Sequence, residues 1–144
     1  MALAGKRHLD AYKDTEIQTA DQGKLILMLY DGGIRFLNIA IDNMTPRRYD
    51  VVNNNIVKAQ DIVTELMLSL NMDDGGEIAQ NLFNIYAYLK KRLLEGNIAK
   101  DGKILQEVID HLNQLRSAWD ELARKQPSQP LRPTGTYSGL SIQG

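Results

Sequence analysis

The chain contains no cysteine among its 144 residues. Disulfides, thiol nucleophiles and cysteine-ligated metals are thereby excluded, and the absence fits a reducing compartment. Histidine is limited to His8 and His111, and neither belongs to a ligand pair such as HExxH, so no metal site is expected. No charge of one sign dominates. Seventeen Lys and Arg face eighteen Asp and Glu, a net charge of −1, which creates no field for nucleic acid or an anionic membrane. No apolar run approaches the roughly 20 residues of a membrane span, and MALAGKRHLDAYKD at the start carries no stretch that reads as a signal peptide. A cytosolic protein is expected. Strand patterns are absent, and with them any glycine-rich loop between strand and helix that could cradle phosphate. DDGGE at 73–77 lacks calcium-loop ligand spacing and reads as a helix-capping turn. No catalytic set and no cofactor is implied, so no enzyme is expected.

What remains is ordinary globular material, 43% hydrophobic and 24% charged, of a length that suits one domain. Residues 1–20 are weakly patterned and read as an N-terminal arm, with Tyr12 and Ile17 able to dock on the domain. Asp21 is a good N-cap for a first helix to about Met44. Thr45-Pro46 opens a second helix to about Asn71, since proline is tolerated in a first turn. A third runs from about Glu77 to Glu95 and is closed by Gly96-Asn97. Asp101 caps a fourth that ends near Lys125. The remainder, 126–144, is rich in Pro, Gly, Ser and Thr and reads as a disordered tail. The expected fold is all-α: an antiparallel up-down four-helix bundle over 21–125.

An ideal helix advances about 100° per residue, so each helix can be read for its apolar faces. The fourth has one stripe, Leu105, Val108, Leu112, Leu115, Trp119 and Leu122. The second has a core stripe, Val52, Ile56, Ala59, Val63, Leu66 and Leu70, and a separate strip of Val57 and Leu68 beside Thr64, turned roughly 140° away. The third reads as a core stripe of Ile78, Leu82, Ile85, Leu89 and Leu93, with a second strip of Phe83, Ala87 and Leu94. The strips could flank one groove or face apart; the pattern does not choose. The first helix has one narrow polar stripe, Asp31, Arg35, Asn38 and Asp42, with Asp31 and Arg35 spaced for an i,i+4 ion pair. Nearly all else on it is apolar. A thick core could absorb this surplus, or the domain reserves apolar surface for a partner. The same strips would also serve a self-associating structural or regulatory module. Lys90-Lys91-Arg92 reads as a solvated basic face and Asn53-Asn54-Asn55 as the wet side of a helix start.

LYDGGIRFL at 29–37 places two glycines in a helix interior, each costing roughly 0.5–1 kcal/mol relative to alanine. Gly33 falls near the centre of the apolar arc, where a neighbouring helix can pack closely. Gly32 falls on the shoulder between Met28, Phe36 and Ile39, where a partner or the arm could meet bare backbone. The candidate binding surface is therefore Leu25, Met28, Leu29, Gly32, Phe36 and Ile39 with Val57, Leu68, Phe83, Ala87 and Leu94.

Five stretches together resemble one family: AYKDTEIQTA (11–20), KLILMLYDGGIRFLNIA (24–40), KAQDIVTEL (58–66), LNMDDGGEIAQNLFNIYAYLKKRL (70–93) and ILQEVIDHLNQLRSAWDEL (104–122). In this order they resemble the FliS family, the flagellar export chaperone that serves flagellin. LYDGxIRFL, KAQDIxxEL, GGEIAxNL and LRxAW are specific as a set. DQGKL at 21–25 departs from the serine-proline that the family often has before the helix. The resemblance implies a small helical bundle in the bacterial cytoplasm, monomeric when free, that binds the disordered C-terminal segment of flagellin one-to-one. That segment would lie as short helices in apolar grooves. Binding would block premature polymerisation and help deliver flagellin to the type III export gate. Tyr12 and Ile17 match family positions in an N-terminal segment that covers part of the groove until flagellin arrives.

Overall fold

The computed structural model describes residues 22–125, and the expected arm, tail and Asp21 cap lie outside that range. Four helices follow in order: α1 (Gln22–Asp42), α2 (Tyr49–Leu68), α3 (Gly76–Ala99) and α4 (Gly102–Lys125), with a 3-10 turn at Pro46–Arg48 between the first two. Each helix packs on its neighbours in the cycle α1–α2–α3–α4–α1. The contacts run antiparallel: the start of α1 meets the end of α2, and Asn97 late in α3 bonds Asn53 early in α2. The fold is an all-α, up-down four-helix bundle.

The core follows the stripes in α2 and in the first half of α4. Val52, Ile56, Ala59, Val63 and Leu66 are buried, as are Leu105, Val108 and Leu112. Each fully buried aliphatic side chain contributes about 1.5–3 kcal/mol relative to exposure. On α3 the expected face is wrong in part. Ile78 and Ile85 are exposed, whereas Ala79 and Tyr86 are buried beside Leu89 and Leu93. The reason is a polar partner across the bundle: the hydroxyls of Tyr30 and Tyr86 share a buried hydrogen bond of 2.5 Å. A buried hydroxyl costs little when it is paired, so tyrosine can take the central position.

Helix ends differ where packing overrides local chemistry. α2 stops at Leu68; the Ser69 N–H bonds back to Glu65 and Leu66, and its Oγ donates to the Leu66 carbonyl. α3 does not close at Gly96-Asn97 but runs to Ala99, and Lys100 takes the left-handed position at φ 52°. Gly96 instead lets α4 approach: a Cβ there would stand 2.9 Å from Leu105 Cδ2 and 3.1 Å from Ile104 Cγ2. Asp101 does cap α4, accepting the Lys103 N–H at 2.8 Å. Three polar expectations change as well. Asp31 pairs with Arg116 of α4, not with Arg35. Asn55 is buried and donates to the Val51 carbonyl. Arg92 is drawn from the basic face to bond Glu95 and Glu107.

Candidate functional site

Two contacts orient the outer strips of α2 and α3. Gly32 and Gly33 of α1 both lie against Ile62, so α1 covers the Ile62 side of α2. The Asn53–Asn97 hydrogen bond, 2.8 Å, puts α3 on the Asn53 side. Val57, Thr64 and Leu68 lie within about 60° of Asn53 around α2, on its outward flank. On α3, Gly96 marks the side against α4; Phe83, Ala87 and Leu94 lie about 140–180° from it, on the flank toward α2. Both strips therefore border the outer seam between α2 and α3. Leu68 is 61% exposed, Leu94 53%, and Val57, Phe83 and Ala87 are also exposed. Ile98 extends the α3 strip by one turn; its i,i+4 spacing from Leu94 was the available sign.

The α1 candidates lie elsewhere. Leu25 and Leu29 are buried, and Met28, Gly32, Phe36 and Ile39 are half-buried. The Arg35 guanidinium and Lys58 Nζ of α2 both lie over the Phe36 ring, 4.7 and 5.4 Å from its centroid, so Phe36 marks the outer seam between α1 and α2. Gly32 does not offer bare backbone: a Cβ there would meet Ile62 Cδ1 at 3.0 Å, closer than the 3.4 Å contacts at Gly33. Leu25 and Leu29 instead line a cleft of about 490 Å³ with Ile26, Glu65, Leu68, Leu70 and Met72. This cleft opens at the end of the bundle where residues 1–21 join α1, since Gln22 is part of its wall. Leu68 belongs to both the cleft and the α2–α3 seam. Tyr12 and Ile17 fall outside the described residues.

The polar groups nearby hold the frame. Burial, followed by the neighbouring Tyr86 hydroxyl, pushes the Tyr30 hydroxyl far above its ordinary pKa, and burial pushes Tyr86 up to about 12. Between α3 and α4, Glu107 accepts from the Tyr88 hydroxyl and from Arg92; the Tyr88 bond first, and Arg92 second, hold its carboxyl below the usual carboxylate range. Among the described residues no three His, Cys, Asp or Glu side chains converge as a metal site, and no helix is long and apolar enough to cross a membrane. What this surface offers is exposed apolar area along the α2–α3 seam and in the adjoining cleft, suited to the apolar face of a helix.

Comparison with known proteins agrees in one direction. The family model described as "Flagellar protein FliS" matches residues 5–126. The chain is 33% identical over 111 residues to a flagellar secretion chaperone FliS of Bacillus subtilis, spanning 77% of this chain and 82% of that protein. The FliS of Vibrio cholerae is 32% identical over 118 residues, 79% of this chain and 87% of its own. The FliS of Salmonella typhimurium is 31% identical over 130 residues, 88% and 95% of the two chains.

Proposed function

The chain belongs to the FliS family and is a flagellar export chaperone, not an enzyme, and from that premise we propose that its client is the C-terminal segment of flagellin. One observation carries the reading. The exposed strips of Val57 and Leu68 and of Phe83, Ala87 and Leu94 border a single seam, which is what a client helix with one apolar face requires. The adjoining cleft at Leu25, Leu29 and Leu68 gives a second place for the same chain to dock. The mechanism is masking. A client segment disordered in solution is ordered on binding, which offsets part of the interaction energy, and its polymerising surface is covered. The complex forms one-to-one in the bacterial cytoplasm and is handed to the export gate. Tyr12 and Ile17 act as a cover that flagellin displaces, since their segment joins α1 at the cleft wall.

Isothermal titration with a flagellin C-terminal peptide tests the reading. Phe83→Glu with Leu94→Glu should weaken binding at least about 100-fold, because two buried apolar contacts of roughly 1.5–3 kcal/mol each are lost. Unchanged affinity in a folded double variant refutes the groove. Light scattering separates the self-associating alternative: that reading requires a tight dimer indifferent to the peptide.

A further inference from the structure

The apolar face of α3 continues beyond the part that α4 covers. Gly96 touches Leu105 and Ile104. Ile78 precedes Gly96 by five helical turns and Ile85 by about three, so all three point the same way within about 20°. Opposing Gly96 to Leu105 sets the register of the antiparallel pair, and that register puts Ile85 opposite Arg116 and Ile78 opposite Ala123. Neither covers an isoleucine. Arg116 turns to α1, where it bonds Asp31, and Ala123 ends at its Cβ. Ile78 is left 56% exposed, with Ile85 and Leu122 more than a third exposed, over a half-buried floor of Leu82, Leu115 and Trp119.

We propose that this seam is the docking groove of the chain's own C-terminal segment, residues 126–144. The segment leaves α4 at Lys125, one turn from Leu122, at the open end of the groove. Its reach is ample: nineteen residues in polyproline II form span about 59 Å, whereas the stretch of α3 from Ile78 to Tyr88 covers about 15 Å. Its spacing also fits. Pro127, Pro130 and Pro133 recur every third residue, which puts them on one face about 9.3 Å apart in that form. The ridges of the groove, Ile78 with Ile85 and Leu115 with Leu122, repeat every seven residues, about 10.5 Å. Extended proline-spaced chains dock on aromatic-lined grooves, and Trp119 and the exposed Tyr88 supply aromatic rings here. Arg132 is the only charged side chain in the segment, so docking desolvates little charge. Leu131, Leu140 and Ile142 add apolar area. Tethering makes the contact intramolecular, with an effective concentration in the millimolar range. The segment thus shields an apolar seam that would otherwise promote self-association. This groove is distinct from the α2–α3 seam and does not depend on the flagellin reading.

The cysteine-free chain allows one nitroxide to be placed cleanly. In the full-length protein carrying Ser138→Cys with the label attached, the methyl signals of Ile78, Ile85 and Leu122 should lose intensity and recover on reduction of the nitroxide. Those of Val57 should not. Adding Leu131→Asp and Leu140→Asp should restore the seam signals. The proposal is overturned if the seam methyls keep their intensity. It also falls if the loss centres on Val57, if the loss requires mixing labelled and unlabelled chains, or if a label at Lys13→Cys produces it instead.

Discussion

Gly96→Ala and Gly33→Ala are chemically identical changes in helix interiors, and the packing around them predicts opposite signs. In an open helix the added methyl stabilises by about 0.5–1 kcal/mol, mainly by restricting the unfolded chain. At Gly33 the new Cβ would meet Ile62 Cγ2 and Leu112 Cδ1, each at 3.4 Å, which is ordinary contact. The full gain should appear there. At Gly96 the new Cβ would stand 2.9 Å from Leu105 Cδ2, 3.1 Å from Ile104 Cγ2 and 3.4 Å from Ile104 Cβ. The Leu105 contact is with a terminal methyl that can turn aside, but Ile104 is β-branched and stiff, so its Cγ2 yields only by leaving its rotamer or by a small shift of the helices. Overpacking of this kind costs about 1–3 kcal/mol, which leaves a net loss centred on about 1 kcal/mol, and at most about 2.5 kcal/mol, after the helix gain. Urea unfolding followed by circular dichroism is the assay. With a slope near 2 kcal/mol/M, Gly96→Ala should lower the midpoint by about 0.5 M and Gly33→Ala should raise it by about 0.3–0.5 M, with unchanged slopes. Gly32→Ala falls between, because its 3.0 Å neighbour is the mobile end of Ile62. If Gly96→Ala stabilises as much as Gly33→Ala, close approach is not the reason for the glycine.

Tyr30→Phe and Tyr86→Phe should each cost about 1 kcal/mol by removing the buried hydroxyl–hydroxyl bond, with Trp119 left as the remaining hydroxyl's partner, while the double variant should cost clearly less than the two together in a denaturation cycle. The same pair predicts alkaline instability. Both hydroxyls stay protonated in the folded protein to higher pH than in the unfolded chain, so their contribution is intact below about pH 10 and is lost as pH rises toward and beyond 12. The fall in unfolding free energy above pH 10 should be shallower in the double Phe variant. Glu107→Gln should cost about 1 kcal/mol or less, since the carboxylate is partly exposed and screened. Because the Glu107 pKa is lowered, that difference should be present near neutral pH and should shrink as pH falls through the carboxylate range, measured by thermal unfolding at fixed salt.

Local periodicity made the bundle legible because Val52 to Leu66 and Leu105 to Leu112 repeat at helical spacing and are buried. It failed on α3, where two faces compete. Ile78 and Ile85 are the larger aliphatic side chains, and nothing within α3 shows that Tyr86 has a hydroxyl partner 56 residues away. Gly96-Asn97 failed for a related reason: the pair reads as a stop signal, and only the position of Leu105 on the next helix shows that it is a contact. Exposure of the outer strips was readable from the angle they make with the core, but their shared seam was not. That depends on which side of α2 each neighbour occupies, and Ile62 and Asn53 decide it across helices. The surplus apolar surface of α1 then divides. Leu37 and Tyr30 go to the core common to all four helices, Leu25 and Leu29 go to the cleft, and Met28, Phe36 and Ile39 stay half-buried. Part of what looked like partner surface is thus the consequence of α1 packing on two neighbours. The apolar area that packing leaves unexplained is concentrated on α2 and α3, where substitutions can separate binding from stability.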